Sequence, residues 1–182
     1  MAGSTIRNRD GSVGPARYRI EQGSGEHAMV TVRRAYPAGL LPGTASHVWR
    51  VVSDFGAIKA LFPSLLRLYL TYPDNGPTQV GLVRDMTFAP QPGGRELAFG
   101  IEQLVELDEG SRRLAYTSVL GLPLRDYRSE MAVTGDDACE LVWQSTCRVT
   151  PDNTAFLDTL ASILAGGANQ IAKHLGLDPS LG

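Results

Sequence analysis

Cysteine and histidine are scarce in this sequence of 182 residues, which has two of the first and three of the second. Cys139 is expected in a turn and Cys147 late in a strand, so no disulfide is expected. His27, His47 and His174 are scattered without partners at ligand spacing, so neither a metal site nor a cofactor is expected. Long apolar runs are missing too: none reaches the roughly 18 residues that a membrane-spanning helix needs. Met1 to Pro15 holds no apolar stretch suited to a signal peptide, and the expected location is the reducing cytoplasm. Charge of one sign is also lacking. Lys and Arg number 17 against 19 Asp and Glu, which leaves no field to draw nucleic acid or an anionic membrane. The basic doublets Arg33-Arg34 and Arg112-Arg113 stand apart from aromatics and read as solvated surface. No Gly-x-Ser-x-Gly elbow supports nucleophilic catalysis, and no phosphate-binding glycine loop is present.

What is there is apolar patterning dense enough for one core. Residues 1–25 are rich in Gly, Ser and Arg and are expected to form a flexible arm; residues 26–178 are expected to form one α+β domain. Val30, Val32 and Tyr36 alternate with Met29, Thr31 and Arg33 as a first strand. Val48, Val51, Val52 and Phe55 keep helical spacing behind a cap at Thr44 or Ser46, and a short second helix covers Ala57 to Phe62 before Pro63. Six strands are expected next, about Leu65–Tyr72, Gln79–Phe88, Glu96–Leu107, Arg113–Leu120, Tyr127–Thr134 and Glu140–Val149, divided by short Gly, Pro, Asn and Asp turns. Such short connections favour antiparallel hairpins. After Pro151 and a cap at Asp152 or Asn153, the residues Leu157, Leu160, Leu164, Ala168, Ile171 and Leu175 make one helical stripe. A curved antiparallel sheet of seven strands around a long C-terminal helix, with two helices between its first two strands, is the expected architecture. Gly166-Gly167 inside that helix either leave cavity volume or permit a kink.

Several local motifs add to this element order. Val48-Trp49-Arg50-Val51-Val52-Ser53-Asp54-Phe55-Gly56 with Leu61-Phe62-Pro63 comes first. Gly81-Leu82-Val83-Arg84, Glu102-Gln103-Leu104 with Leu107-Asp108, Leu122-Pro123 with Tyr127, and Val142-Trp143 follow. Over about residues 28–176 the chain resembles the SRPBCC (START-like, helix-grip) superfamily, especially its polyketide cyclase/dehydrase branch. The resemblance implies a deep cavity between sheet and terminal helix that holds a small hydrophobic molecule. Loops 89–95 and 121–126 correspond to the two mouth loops of the related abscisic acid receptors. The gate and latch residues of those receptors are replaced by Ala89-Pro90-Gln91-Pro92 and Pro123-Leu124, and their gripping lysine by Phe62, which argues against a hormone receptor.

Alternation puts Leu82, Arg84, Met86 and Phe88 on one inner face. The resemblance turns Glu102 inward as well, so Arg84 and Glu102 are expected to pair, either to fix register or to polarise and deprotonate a substrate. Tyr116 and Ser118, and Tyr127 and Ser129, match cavity-lining positions whose hydroxyls could orient a carbonyl or donate a proton. Phe62, Met86, Phe88, Leu120, Leu122, Leu160 and Leu164 complete the expected lining. Trp143 faces inward by alternation with Leu141 and Ser145, whereas the superfamily register favours Gln144; the sequence leaves both open. Arg125 and Asp126 are expected at the mouth. The resulting expectation is a cofactor-independent protein, monomer or homodimer. It cyclises or dehydrates a polyketide-like or aromatic molecule, Arg84, Glu102, Tyr116 and Tyr127 carrying the chemistry, or else carries or senses a lipid-like or hormone-like hydrophobic ligand unchanged.

Overall fold

Alternating strand residues and one helical stripe assemble into a sheet that grips a helix. The computed structural model describes residues 15–23, 26–39, 43–73, 79–90 and 98–177. In chain order the elements are β1 (Arg17–Gln22), β2 (His27–Tyr36), α1 (Thr44–Ser53), α2 (Ile58–Leu61), β3 (Leu65–Thr71), β4 (Val83–Phe88), β5 (Ala98–Asp108), β6 (Arg113–Leu120), β7 (Arg125–Gly135), β8 (Cys139–Arg148) and α3 (Phe156–His174). The sheet has eight strands in the order β1-β2-β8-β7-β6-β5-β4-β3, antiparallel throughout.

The expected count of seven strands is therefore corrected to eight. The added strand, β1, falls inside the segment expected as an arm, whose residues 1–14 lie outside the described residues. It pairs with β2 from Arg17 opposite Arg33 to Gln22 opposite Ala28. Being an edge strand, it buries little: Ile20 is half-buried and Tyr18 is exposed, too few apolar residues to announce a strand by alternation. The helix starts also differ from expectation. Gly43, in the left-handed region, precedes α1 and Ala155 precedes α3, and neither end has a side-chain cap. Asn153 is spent earlier, its side-chain oxygen accepting from the Thr150 amide.

Register shifts in β5, between Ile101 and Glu102 and between Leu104 and Glu106, mark bulges, which bend a strand and increase its twist. The bent sheet brings β1, β2 and β8 against α3. Val30, Val32, Leu114, Tyr116, Leu141 and Trp143 share one buried cluster with Leu157, Leu160, Leu164, Ala168 and Ile171 of α3 and with Val48 and Trp49 of α1. Ile58, Leu65 and Met86 form a smaller cluster under α2. No helix among the described residues is long and apolar enough to cross a membrane.

The alternation of β2 corrects another expectation. Its inner row is Ala28, Val30, Val32, Arg34 and Tyr36, so Arg34 is 1% exposed and not solvated surface. Arg33, its neighbour, points outward and pairs with Glu140.

The paired glycines of α3 have different surroundings. A Cβ on Gly166 would meet nothing within 4 Å, whereas one on Gly167 would lie 2.7 Å from the Trp143 ring and 2.8 Å from the Phe62 ring. The space left by the missing side chain at Gly167 is occupied by two aromatic rings. Gly166→Ala is thus expected to stabilise the protein by up to about 1 kcal/mol through helix propensity. Gly167→Ala must displace packed rings and is expected to destabilise it by about 1–3 kcal/mol. Urea unfolding of both variants checks this; equal effects would mean that the two rings yield freely.

Candidate functional site

Between the sheet and the α1–α2 segment lies a cavity of about 20 Å³, enough for about one water molecule. Phe55, Phe62, Leu114 and Trp143 supply apolar wall, and Asp54, Arg84 and Tyr116 bring polar groups to it, with Glu102 outside the lining. The deep hollow expected here is largely filled. Phe62 and Trp143 press into the gap at Gly167, and the rings of Tyr116 and Tyr127 lie 6.4 Å apart in the interior.

Arg84 reaches the cavity because β4 alternates, burying Arg84 and Met86 and exposing Asp85. Glu102 is its direct cross-strand partner on β5. Arg84 Nε donates to Glu102 Oε2 at 2.7 Å, and Nη2 lies 2.5 Å from the same oxygen. Nη1 donates to the Phe55 carbonyl at 3.1 Å. The guanidinium carbon sits 3.8 Å from the centre of the Phe55 ring and 5.0 Å from that of Tyr116. With side chains only 7% and 14% exposed, Arg84 and Glu102 form the expected inward pair. Both contacts fall on Oε2, so Oε1 of Glu102 is left to accept from another group.

A hydrogen-bonded chain runs away from this pair through the core. Trp143 Nε1 donates to Tyr116 Oη at 3.1 Å and to Ser129 Oγ at 2.9 Å. Ser129 Oγ lies 2.8 Å from Ser145 Oγ, which lies 3.1 Å from Tyr127 Oη. Trp143 thus faces inward. Gln144 points to the other face, where its amide contacts Met29, because neighbouring strand residues alternate. The two tyrosine hydroxyls reach this network and not water. Burial, reinforced by the negative charge of Glu102, pushes the Tyr127 phenol up to about 12, and burial holds Tyr116 well above the usual range. Both are kept as neutral proton donors.

The remaining expected site residues divide. Phe62 lines the cavity and meets Phe88 edge-on at 6.4 Å, and Met86 lies in the cluster below. Leu160 and Leu164 are core residues, and half-buried Leu122 packs against that core. Leu120 is 61% exposed and lines nothing, since β6 runs past the covered part of the sheet at its end. Ser118, one step before this end, donates to the Leu120 carbonyl and lies outside the cavity wall. Asp126 pairs with Arg148 at 2.6 Å on the surface. The first mouth loop, from Gln91 on, lies outside the described residues. Two contributors were not singled out in the sequence: Phe55, which stacks on Arg84, and Ser145, the midpoint of the hydroxyl chain. Alternation with Trp143 was the available signal for Ser145; the Asp54-Phe55-Gly56 motif marks Phe55, but it reads as helix and motif and not as site.

A bent antiparallel sheet closed by a C-terminal helix, with polar groups reaching a small internal cavity, defines a helix-grip, SRPBCC-type protein. The profile of the family described as "Polyketide cyclase / dehydrase and lipid transport" matches residues 17–176, and the chain belongs to that family. Among solved structures, truncated norcoclaurine synthase from Thalictrum flavum is 24% identical, with 86% of this chain and 98% of that chain covered and a TM-score of 0.64. A protein from Thermobifida fusca is 28% identical, with 80% and 93% covered and a TM-score of 0.56. XoxI from Bacillus cereus is 17% identical, with 81% and 94% covered and a TM-score of 0.57. A search of the curated proteins gives no match.

The raised phenols set a sign for alkaline stability. The ordinary tyrosine value is 10.0, and Tyr127 is at about 12 in the fold, so between these values the unfolded chain loses a proton that the folded chain keeps. Stability from this source is complete below about pH 10 and is expected to fall as pH rises toward 12, which unfolding followed by fluorescence checks. Glu102→Gln leaves the buried Arg84 cation without its counter-charge and is expected to cost about 3 kcal/mol in urea unfolding; a loss below about 0.5 kcal/mol would mean that the pair does not hold the strands.

Proposed function

We propose that this chain binds a small hydrophobic molecule, aromatic or polyketide-like, at the Arg84–Tyr116 cavity and promotes its ring closure or dehydration without a cofactor. The carrying observation is that a guanidinium and a neutral phenol converge on one apolar-walled cavity, with a carboxylate behind them. A lining made only of hydrocarbon would suit a carrier better. Family membership supports hydrophobic ligand binding, and a structure of the Thalictrum flavum synthase holds two aromatic molecules, dopamine and hydroxybenzaldehyde.

In this reading a ligand that enlarges the cavity reaches past Arg84 to Glu102, whose Oε1 takes a proton from the carbon beside a substrate carbonyl. Arg84 and the Tyr116 hydroxyl stabilise the enolate oxygen that develops. The enolate carbon attacks a second carbonyl of the same molecule and closes the ring. Glu102 returns the proton to the new alkoxide, giving a hydroxyl. For dehydration it then removes a second hydrogen from the same carbon, and the hydroxyl leaves as water with that proton as the carbon–carbon double bond forms. Trp143, by donating to Tyr116 Oη, orients the phenol so that its own proton stays available to the ligand. Tyr127, farther along the hydroxyl chain, positions Ser145 and Ser129 beneath Trp143.

A cavity of about 20 Å³ holds no ring, so the ligand must make room. The wall that gives way is Phe62 with α2, a helix of four residues supported by the smaller cluster. A cytoplasmic location belongs to the same proposal.

Native mass spectrometry of purified protein identifies a co-purifying small molecule, and titration with the apolar dye N-phenyl-1-naphthylamine measures cavity access. Phe62→Ala is expected to bind the dye at least about 10-fold more tightly than wild type. Tyr116→Phe is expected to slow conversion of the recovered molecule about 100-fold with little change in its binding. Unchanged dye binding in Phe62→Ala would remove the cavity as the site. Binding of the recovered molecule without conversion by wild type would leave a carrier.

A further inference from the structure

Arg34 is the second buried arginine, and it differs from Arg84 in one respect that matters. Both are inner-face strand residues, Arg34 1% exposed and Arg84 6%. The Nε and Nη2 edge of Arg84 is filled by Glu102. The same edge of Arg34 is unpaired: Nε and Nη2 have no hydrogen-bond partner, and Arg34 enters no ion pair among the described residues. Nη1 donates to Asn169 Oδ1 on α3, an oxygen that also accepts from the Ala16 amide at 3.1 Å.

Two residues along the same inner row, the Tyr36 hydroxyl is also buried without a partner. The guanidinium carbon of Arg34 lies 5.9 Å from the centre of the Tyr36 ring, so the two side chains are neighbours. Burial holds the Tyr36 phenol far above the usual range, so it offers a proton and no negative charge to offset the arginine. The phenol oxygen interacts favourably with the guanidinium but carries no negative charge, so a cation without a counter-charge and a phenol proton without an acceptor share one buried place. An unpaired buried cation is among the costliest groups a fold can hold, and unsatisfied buried donors are rare. The Nε and Nη2 hydrogens of a guanidinium point the same way and match the two oxygens of a carboxylate.

We propose that Arg34 and Tyr36, braced by Asn169, form a second site that binds a carboxylate anion between β1, β2 and α3, separate from the Arg84 cavity. The guanidinium edge takes both carboxylate oxygens, and the Tyr36 hydroxyl donates to one of them. Two sources share this chemistry, a free small anion such as acetate and the head of a longer aliphatic acid.

The test is a titration of the full chain with sodium acetate and with sodium hexanoate at constant ionic strength, using sodium methanesulfonate as the balancing salt. Melting temperature and the arginine Nε–H signals in a ¹⁵N spectrum are the readouts. Wild type is expected to show a saturable rise in melting temperature and a shift of one buried Nε–H signal. Arg34→Met, which keeps an apolar stem, is expected to lose both responses. Tyr36→Phe is expected to weaken acetate binding about 3- to 10-fold while leaving the response present, and it keeps the test readable if Arg34→Met fails to fold. Tighter binding of hexanoate than acetate identifies the head of an aliphatic acid as the occupant; equal binding identifies a free small anion. No saturable response in wild type, an equal response in Arg34→Met, or an undiminished one in Tyr36→Phe overturns the site.

Discussion

A cation inside a protein must be neutralised where it stands, and the Arg84 guanidinium meets that demand by joining four parts of the chain. Its carboxylate partner is on β5, its carbonyl partner closes the end of α1, and the adjacent rings of Phe55 and Tyr116 lie beside it. Sliding β4 by one residue would turn Arg84 outward and strand Glu102 inside, so the pair sets register as well as charge. The same arrangement carries the electrostatics of the cavity: a positive centre, a phenol kept protonated by burial, and a carboxylate with one oxygen to spare. Under the proposed function, stability and chemistry would rest on the same atoms, so a change at Glu102 would affect both.

Packing determines how that chemistry is reached. A glycine on α3 lets Trp143 and Phe62 come closer to the helix than any side chain would permit, and the interior is nearly full in consequence. Moving an aromatic ring out of an apolar site exposes area worth about 1.5–3 kcal/mol. A ligand ring that takes its place buries a similar area, so exchange of one for the other is close to balanced. Selectivity then falls to the polar groups, because the apolar wall welcomes any ring of suitable size.

Much of this architecture was legible in the sequence because it depends on local pattern. The stripe from Leu157 to Leu175 predicts a helix that differs by one residue at each end from the observed Phe156–His174, and β6 begins and ends at the expected residues. Turn chemistry between strands gave antiparallel order. The Arg84–Glu102 pair required the family register in addition to alternation. What was missed depends on long-range context. β1 is a strand only because β2 offers it a partner; its own residues are mostly polar. Arg34 lies in phase with Val30 and Val32, so alternation alone would have turned it inward, and the usual preference of arginine for water hid that signal. Leu120 has the right phase but sits beyond the reach of α3. The cavity volume could not be read at all, since it is the small remainder between the summed volumes of the side chains and the space the backbone encloses.

The position of β2 in the sheet has its own consequence. Its neighbour on one side is β1, a few residues earlier, but on the other it is β8, with His27 opposite Arg148 near the far end of the chain. The strands β3 to β8, by contrast, follow one another as a continuous meander whose pairings close over short loops. Closing a long loop costs more entropy than closing a short one, and the cost comes before any contact repays it. During synthesis, the N-terminal hairpin must therefore wait, unpaired on one edge and uncovered on its inner face, until β8 and then α3 have left the ribosome. Its apolar row of Ala28, Val30 and Val32 is the surface most exposed to mispairing in that interval.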